Sequence, residues 1–149
     1  MRASHPKPVP ADSATFQLPL IPTPPATGFS QPTTDYVEAG IDFNRMIYEH
    51  PAATFIMKVA RDSSRGSDLL ADDLVIIDAA VTPQLGELVV AQIEDDFLLC
   101  RFEQQDGAIL LFPENAGYRP QKVPLDTASE VIFGKVTLIL HRPKRQRRR

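Results

Sequence analysis

The sequence predicts a mostly β domain of antiparallel strands, carried behind an extended proline-rich arm and one short helix. Three observations carry this reading. From Thr54 onward apolar residues recur with the two-residue period of half-buried strands. The segments between those runs hold turn-forming residues. Proline crowds the front of the chain, where residues 1–27 contain seven of the fourteen prolines and no glycine. A chain of 149 residues suits a single compact domain. With 43% hydrophobic and 23% charged residues it can bury a core. The apolar stretches Leu74 to Ile77 and Leu88 to Ala91 fall far short of the ~20 residues of a membrane-spanning helix. The first residues offer no continuous apolar segment of the secretory type. The expectation is a cytoplasmic protein with no membrane contact.

Each element has its own cause. Proline lacks an amide donor and drives the preceding residue toward extended geometry, so residues 1–27 read as an extended or polyproline-like arm. Residues 28–53 read as a linker with a short helix. Asp35 stands three residues before Glu38 in an acidic variant of a capping box, and Phe43, Met46 and Ile47 share one helical face. Gly40 weakens the middle and moves the helix start toward Asp42, and His50-Pro51 stops it. Six strands are expected within residues 54–141: Thr54 to Ala60, Leu74 to Asp78, Glu87 to Ile93, Phe97 to Glu103, Ala108 to Phe112 and Val131 to His141. Thr82-Pro83, Leu85-Gly86, Glu94-Asp95-Asp96 and a connection ending in Asp106-Gly107 supply the turns.

Charge is divided unevenly. The net charge is −3, but residues 142–149, RPKRQRRR, hold six cations and no anion, which leaves −9 for residues 1–141. Such a run attracts phosphate-rich polymers, although like charges in sequence are usually a solvated end. Cys100 has no partner for an internal disulfide, and His5, His50 and His141 are too dispersed to make a zinc site with it, so no metal and no cofactor is implied. Read by residue type alone, Arg61 to Asp68 is a serine-rich loop between strands, of the kind in which Ser and Asp oxygens hold turns.

The order of features adds more. Thr27-Gly28-Phe29, Asp35-Tyr36-Val37-Glu38, Ile41-Asp42, Asn44, His50-Pro51, Ala53-Thr54, Lys58 and Asp62-Ser63 follow one another at family-like spacing. Downstream come Asp73-Leu74, Ile77-Asp78, Gly86-Glu87, Phe97, Pro113, Asn115, Tyr118 and Pro120. From about Phe16 to Leu140 this order resembles the UmuD proteins, self-processing accessory subunits of error-prone DNA polymerases, grouped with the LexA-like serine peptidases. The resemblance implies the LexA C-terminal antiparallel β fold. It implies cleavage of the arm at Thr27-Gly28, with Ser63 as nucleophile and its backbone amide helping to bind the oxyanion. It places a general-base lysine, kept neutral by burial, where this chain has Cys100, followed by Arg101. Arg61 and Ser64 also stand where the family has Gly and Met around its Asp-Ser pair. Lys58 and Lys135 are body lysines on expected strands, away from the matching position.

The function implied is that of a UmuD-like accessory subunit of a translesion polymerase in the SOS response to DNA damage, with self-cleavage impaired and the arm processed in trans. The partners implied are a Y-family, UmuC-like polymerase subunit, a RecA–single-stranded DNA filament, and a second UmuD-like chain in a homodimer or a heterodimer with a host relative. Two alternatives stand beside it: a working RecA-stimulated Ser/Lys peptidase with a relocated base, and a nucleic-acid binder acting through residues 142–149. With the first 34 residues rich in proline, no helix-turn-helix is expected ahead of the β domain, which disfavours a repressor.

Overall fold

In the computed structural model the described residues are 17–20, 38–47, 49–59, 69–114 and 117–147. Nine strands fall among them: β1 (Gln17–Leu20), β2 (Glu38–Asp42), β3 (Thr54–Lys58), β4 (Leu74–Asp78), β5 (Leu88–Ile93), β6 (Asp96–Gln105), β7 (Ala108–Pro113), β8 (Gln121–Pro124) and β9 (Ile132–Leu140). Helices α1 (Phe43–Ile47) and α2 (Ala128–Val131) are a turn or so each. β3 to β9 form an antiparallel sheet in the order β3-β4-β9-β5-β6-β7-β8, so the last strand lies between β4 and β5. β1 and β2 pair separately.

The expected strands are all present, with ends moved by a residue or two; Ala60 lies outside the described residues and His141 follows the end of β9. Four differences have physical causes. Part of the proline-rich arm is a paired strand, β1, whose register against β2 shifts between Leu18 and Leu20. Pro19, which has no amide donor, sits at that irregularity. Glu38 belongs to β2 and so precedes the helix instead of lying in its first turn, and Asp35 is outside the described residues. Asp42 takes the capping role through its Oδ1, which accepts from the amides of Asn44 (3.0 Å) and Arg45 (3.4 Å). The helix it caps leaves Met46 more than half exposed. β8 and α2 have no counterpart among the expected elements, because their sequences, QKVP and ASEV, are too short to show a period.

Two hairpins are set by backbone chirality. Glu94 and Asp95 both have positive φ, as do Asp106 and Gly107, and each pair joins strands directly, Ile93 facing Asp96 and Gln105 facing Ala108. Such two-residue turns match the twist of the flanking strands.

Alternation along the strands gives each face of the sheet an apolar layer. On one face Met57, Val59, Leu69, Val75, Ile77, Leu88, Val90, Leu99 and Val136 cluster, with Phe55, Phe97 and Phe133 packed against them. On the other, Val89, Ala91, Ile93, Leu98, Cys100, Phe102, Ile109, Leu111 and Val123 cluster, flanked by Tyr118 and α2. Full burial of one such aliphatic side chain contributes roughly 1.5–3 kcal/mol.

Candidate functional site

Ser63, with Arg61 and Ser64, lies outside the described residues, as do Thr27 and Gly28. The two ends of the segment that carries Ser63 are fixed. The Val59 amide donates to the Asp73 carbonyl (2.8 Å), and the Asp72 amide to the Val59 carbonyl (3.0 Å). Val59 and Leu69 are buried in the same apolar cluster. Asp73 ties the far end: one carboxylate oxygen accepts from the Leu70 amide at 2.9 Å, and the other meets His141 Nδ1 at 2.6 Å. Burial works against ionisation of Asp73, but the bonds from His141 and Leu70 outweigh it and hold its pKa below the usual carboxylate range.

Cys100 sits in the middle of β6, opposite Val89 on one side and Pro113 on the other. It is fully buried among the apolar residues of the second cluster. Burial, and to a smaller extent the Glu114 charge, push its thiol up to about 12. At neutral pH its thiolate fraction is then on the order of 10⁻⁵. Its polar contact is a long one of 3.8 Å from Sγ to the Leu98 carbonyl. A short neutral thiol in this setting neither reaches nor accepts as a buried lysine amine would.

Arg101 is one residue on and therefore faces the opposite side of the sheet. Its guanidinium donates to the Gly86 carbonyl (3.0 Å) and to Glu114 Oε1 (3.3 Å). Beside it, Lys135 Nζ lies 2.7 Å from Glu87 Oε1. That contact, with the Gln84 amide, holds the Glu87 carboxyl below its ordinary range against the effect of burial. Arg101, Glu87 and Lys135 line an open groove of about 390 Å³ that crosses β9, the start of β5 and β6. Lys58 is 3.6 Å from Asp72 at the surface. Both amines considered for a relocated base are thus engaged by carboxylates, and a third body lysine, Lys122, lies exposed on β8.

A family model described as Peptidase S24-like matches residues 19–137. The chain belongs to that family. Its domain is LexA/UmuD-like, consistent with the antiparallel sheet. Among curated relatives, Protein ImpA of Salmonella typhimurium is 30% identical over 138 residues, 93% of each chain. Protein SamA of the same species is 34% identical over 117 residues, 78% of this chain and 80% of the relative. A LexA repressor of Shewanella is 36% identical over 85 residues, 57% of this chain but 41% of the repressor.

Two side-chain pairs of this S24-like domain have no signature in the sequence. Asp78 Oδ2 meets His50 Nδ1 at 2.7 Å while its Oδ1 accepts from the Ala80 amide at 2.8 Å, and Asp73 holds His141 as described. Asp73 and Asp78 are among the residues that carry the resemblance, yet their partners are 68 and 28 positions away. Sheet topology alone brings them together. Among the described residues no group of three or more His, Cys, Asp or Glu is arranged to hold a metal ion, and no helix is long and apolar enough to cross a membrane.

Proposed function

We propose that this chain is a UmuD-like accessory subunit of an error-prone translesion polymerase, acting in the response to DNA damage, whose own arm-cleaving step is disabled. The observation that carries the reading is the thiol of Cys100, buried and raised to about 12, at the position where the family resemblance requires a base.

The step that fails is proton abstraction. Attack of Ser63 Oγ on the Thr27 carbonyl carbon forms the new C–O bond only as the hydroxyl proton leaves for a base. Collapse of the tetrahedral intermediate breaks the Thr27–Gly28 bond, the Gly28 nitrogen takes a proton, and water later hydrolyses the Thr27 ester. A neutral thiol offers no lone pair of useful basicity. Loss of a general base costs roughly 10²–10⁴ in rate. Groups that act as one unit lose up to about 10⁶. Arg101 stays protonated and cannot replace it. An arm presented to the serine–lysine site of an intact relative can still be cut in trans, because that site supplies the nucleophile, the base and the oxyanion donors.

The test mixes purified protein with RecA, single-stranded DNA and a nucleotide and weighs the products. The wild-type chain is expected to stay whole. Cys100→Lys is expected to lose its arm at Thr27-Gly28, and Cys100→Lys with Ser63→Ala to keep it. Because a lysine in this apolar layer can unfold the domain, a second arm adds a relative that has the lysine. Wild-type and Ser63→Ala chains should then lose the arm equally. Spontaneous cleavage of the wild type that vanishes in Ser63→Ala would overturn the proposal in favour of a working peptidase. Failure to co-purify with any Y-family polymerase subunit, with the arm or without it, would overturn the accessory role.

A further inference from the structure

The chemistry above leaves the basic run at residues 142–149 without a task. Its six cations follow a body that carries 10 cations and 19 anions. The run leaves the sheet at a fixed point. Leu140 pairs with Leu74, and His141 is clamped to the buried Asp73 at 2.6 Å. The acids near that exit are already engaged, Asp73 by His141 and the Leu70 amide, and Asp72 by Lys58 at 3.6 Å. Arg142, Lys144, Arg145 and Arg147 are exposed and outside any helix or strand; Lys144 acts weakly on the charge of Asp73, and none of the four forms an ion pair with another described residue. Their charge is therefore available to a partner.

We propose that residues 142–149 bind the phosphate backbone of nucleic acid, without reading its sequence, and so tether the domain to it. Five of the six cations are arginine, whose planar guanidinium pairs with phosphate through two parallel hydrogen bonds. The run holds no aromatic residue to stack on bases and no large apolar residue to insert into a bilayer, so recognition rests on charge alone. Fully extended, eight residues span about 28 Å. A duplex carries one charge per ~1.7 Å of axis, which puts about 16 phosphates within that reach. The acidic body, at −9, is repelled by the same polymer, which confines contact to the run and holds the sheet away from it. This inference goes beyond the polymerase reading and stands or falls without it.

The experiment uses the full chain and a fluorescein-labelled 20-base-pair duplex of mixed sequence, with anisotropy read from 50 to 200 mM salt. Six neutralised phosphates give a log–log salt slope of about −5, a loss of about 10³-fold in affinity across that range. A second duplex of unrelated sequence should bind within about threefold, as expected for backbone contacts. Replacing the six basic residues by Gln should weaken binding at 50 mM salt by ~100-fold or more, with the circular dichroism spectrum unchanged. Unaltered affinity in that variant, a slope flatter than about −2, or tighter binding to vesicles of 30% phosphatidylserine in phosphatidylcholine than to the duplex would overturn the proposal.

Discussion

On the proposed reading, position 100 is where one side chain separates a scaffold from its chemistry. The strand needs an inward residue between Leu98 and Phe102, and a cysteine meets that need as a small hydrophobe. Packing is satisfied by a group that is neutral at pH 7. The neighbouring Arg101 keeps a cation on the strand, but alternation turns it to the other face, where it is bound to Gly86 and Glu114. Reactivity follows from the same burial. With its pKa at about 12 and no exposure, the Cys100 thiol is expected to resist an aromatic disulfide reagent at pH 8 for as long as the fold persists. In denaturant the same thiol should react at the rate of a model peptide. Rapid labelling of the native protein would show that β6 opens or that the thiol is ionised.

At the scale of elements, β9 is the strand on which the sheet depends, because it joins the β3–β4 pair to the β5–β8 run. Its register shifts against both neighbours, between Ile76 and Ile77 on one side and between Val90 and Ala91 on the other. Phe133 stands at the second shift and meets Phe55 and Phe97 edge-on, with ring centroids 4.8 and 5.6 Å away. Gly134 follows it. A Cβ there would lie 2.7 Å from Ile77 Cγ2, 3.0 Å from the Asp78 carbonyl and 3.1 Å from Ala79 Cα. Two of those three atoms are backbone and cannot turn aside. Gly134→Ala is therefore expected to cost about 1–3 kcal/mol, read as a lower urea midpoint with an unchanged slope. This close approach had no sign in the sequence, whereas the strands themselves did. Local signals, such as the short apolar runs of β5 and β6 or the Asp106-Gly107 turn, act between neighbours and are visible to anyone reading along the chain. Pairing is not local: β1 with β2, β9 between β4 and β5, and the histidine–aspartate pairs all depend on residues far apart. The candidate site divides in the same way. Cys100 was legible as a departure at a fixed position, but its burial and the engagement of Lys135 by Glu87 required the sheet.

For the whole molecule, the titrating groups set opposite limits on stability. Asp73 and Glu87 have pKa values lowered in the fold, so the stability they contribute is present above their unfolded values near 3.8 and 4.5 and is lost as pH falls through the folded ones. His50 is shifted the other way: the hydrogen bond to Asp78 and the charge of Asp78 raise it above 6.5, desolvation opposes them, and the charge of Glu49 adds a lesser push upward. Its contribution is complete below 6.5 and disappears as pH rises through the raised value. These three contributions are complete together between about pH 4.5 and pH 6.5. Urea midpoints measured from pH 3 to pH 9 should rise through the acid limb, level off, and decline past neutrality. His50→Gln should flatten the decline while leaving the acid limb in place, and Asp73→Asn should soften the acid limb. A midpoint that keeps rising to pH 8 in the wild type would mean that the His50–Asp78 contact does not persist in solution. The same β3–β4 frame, which holds Asp78 at one end and Asp73 at the other, would then be looser than its hydrogen bonds indicate.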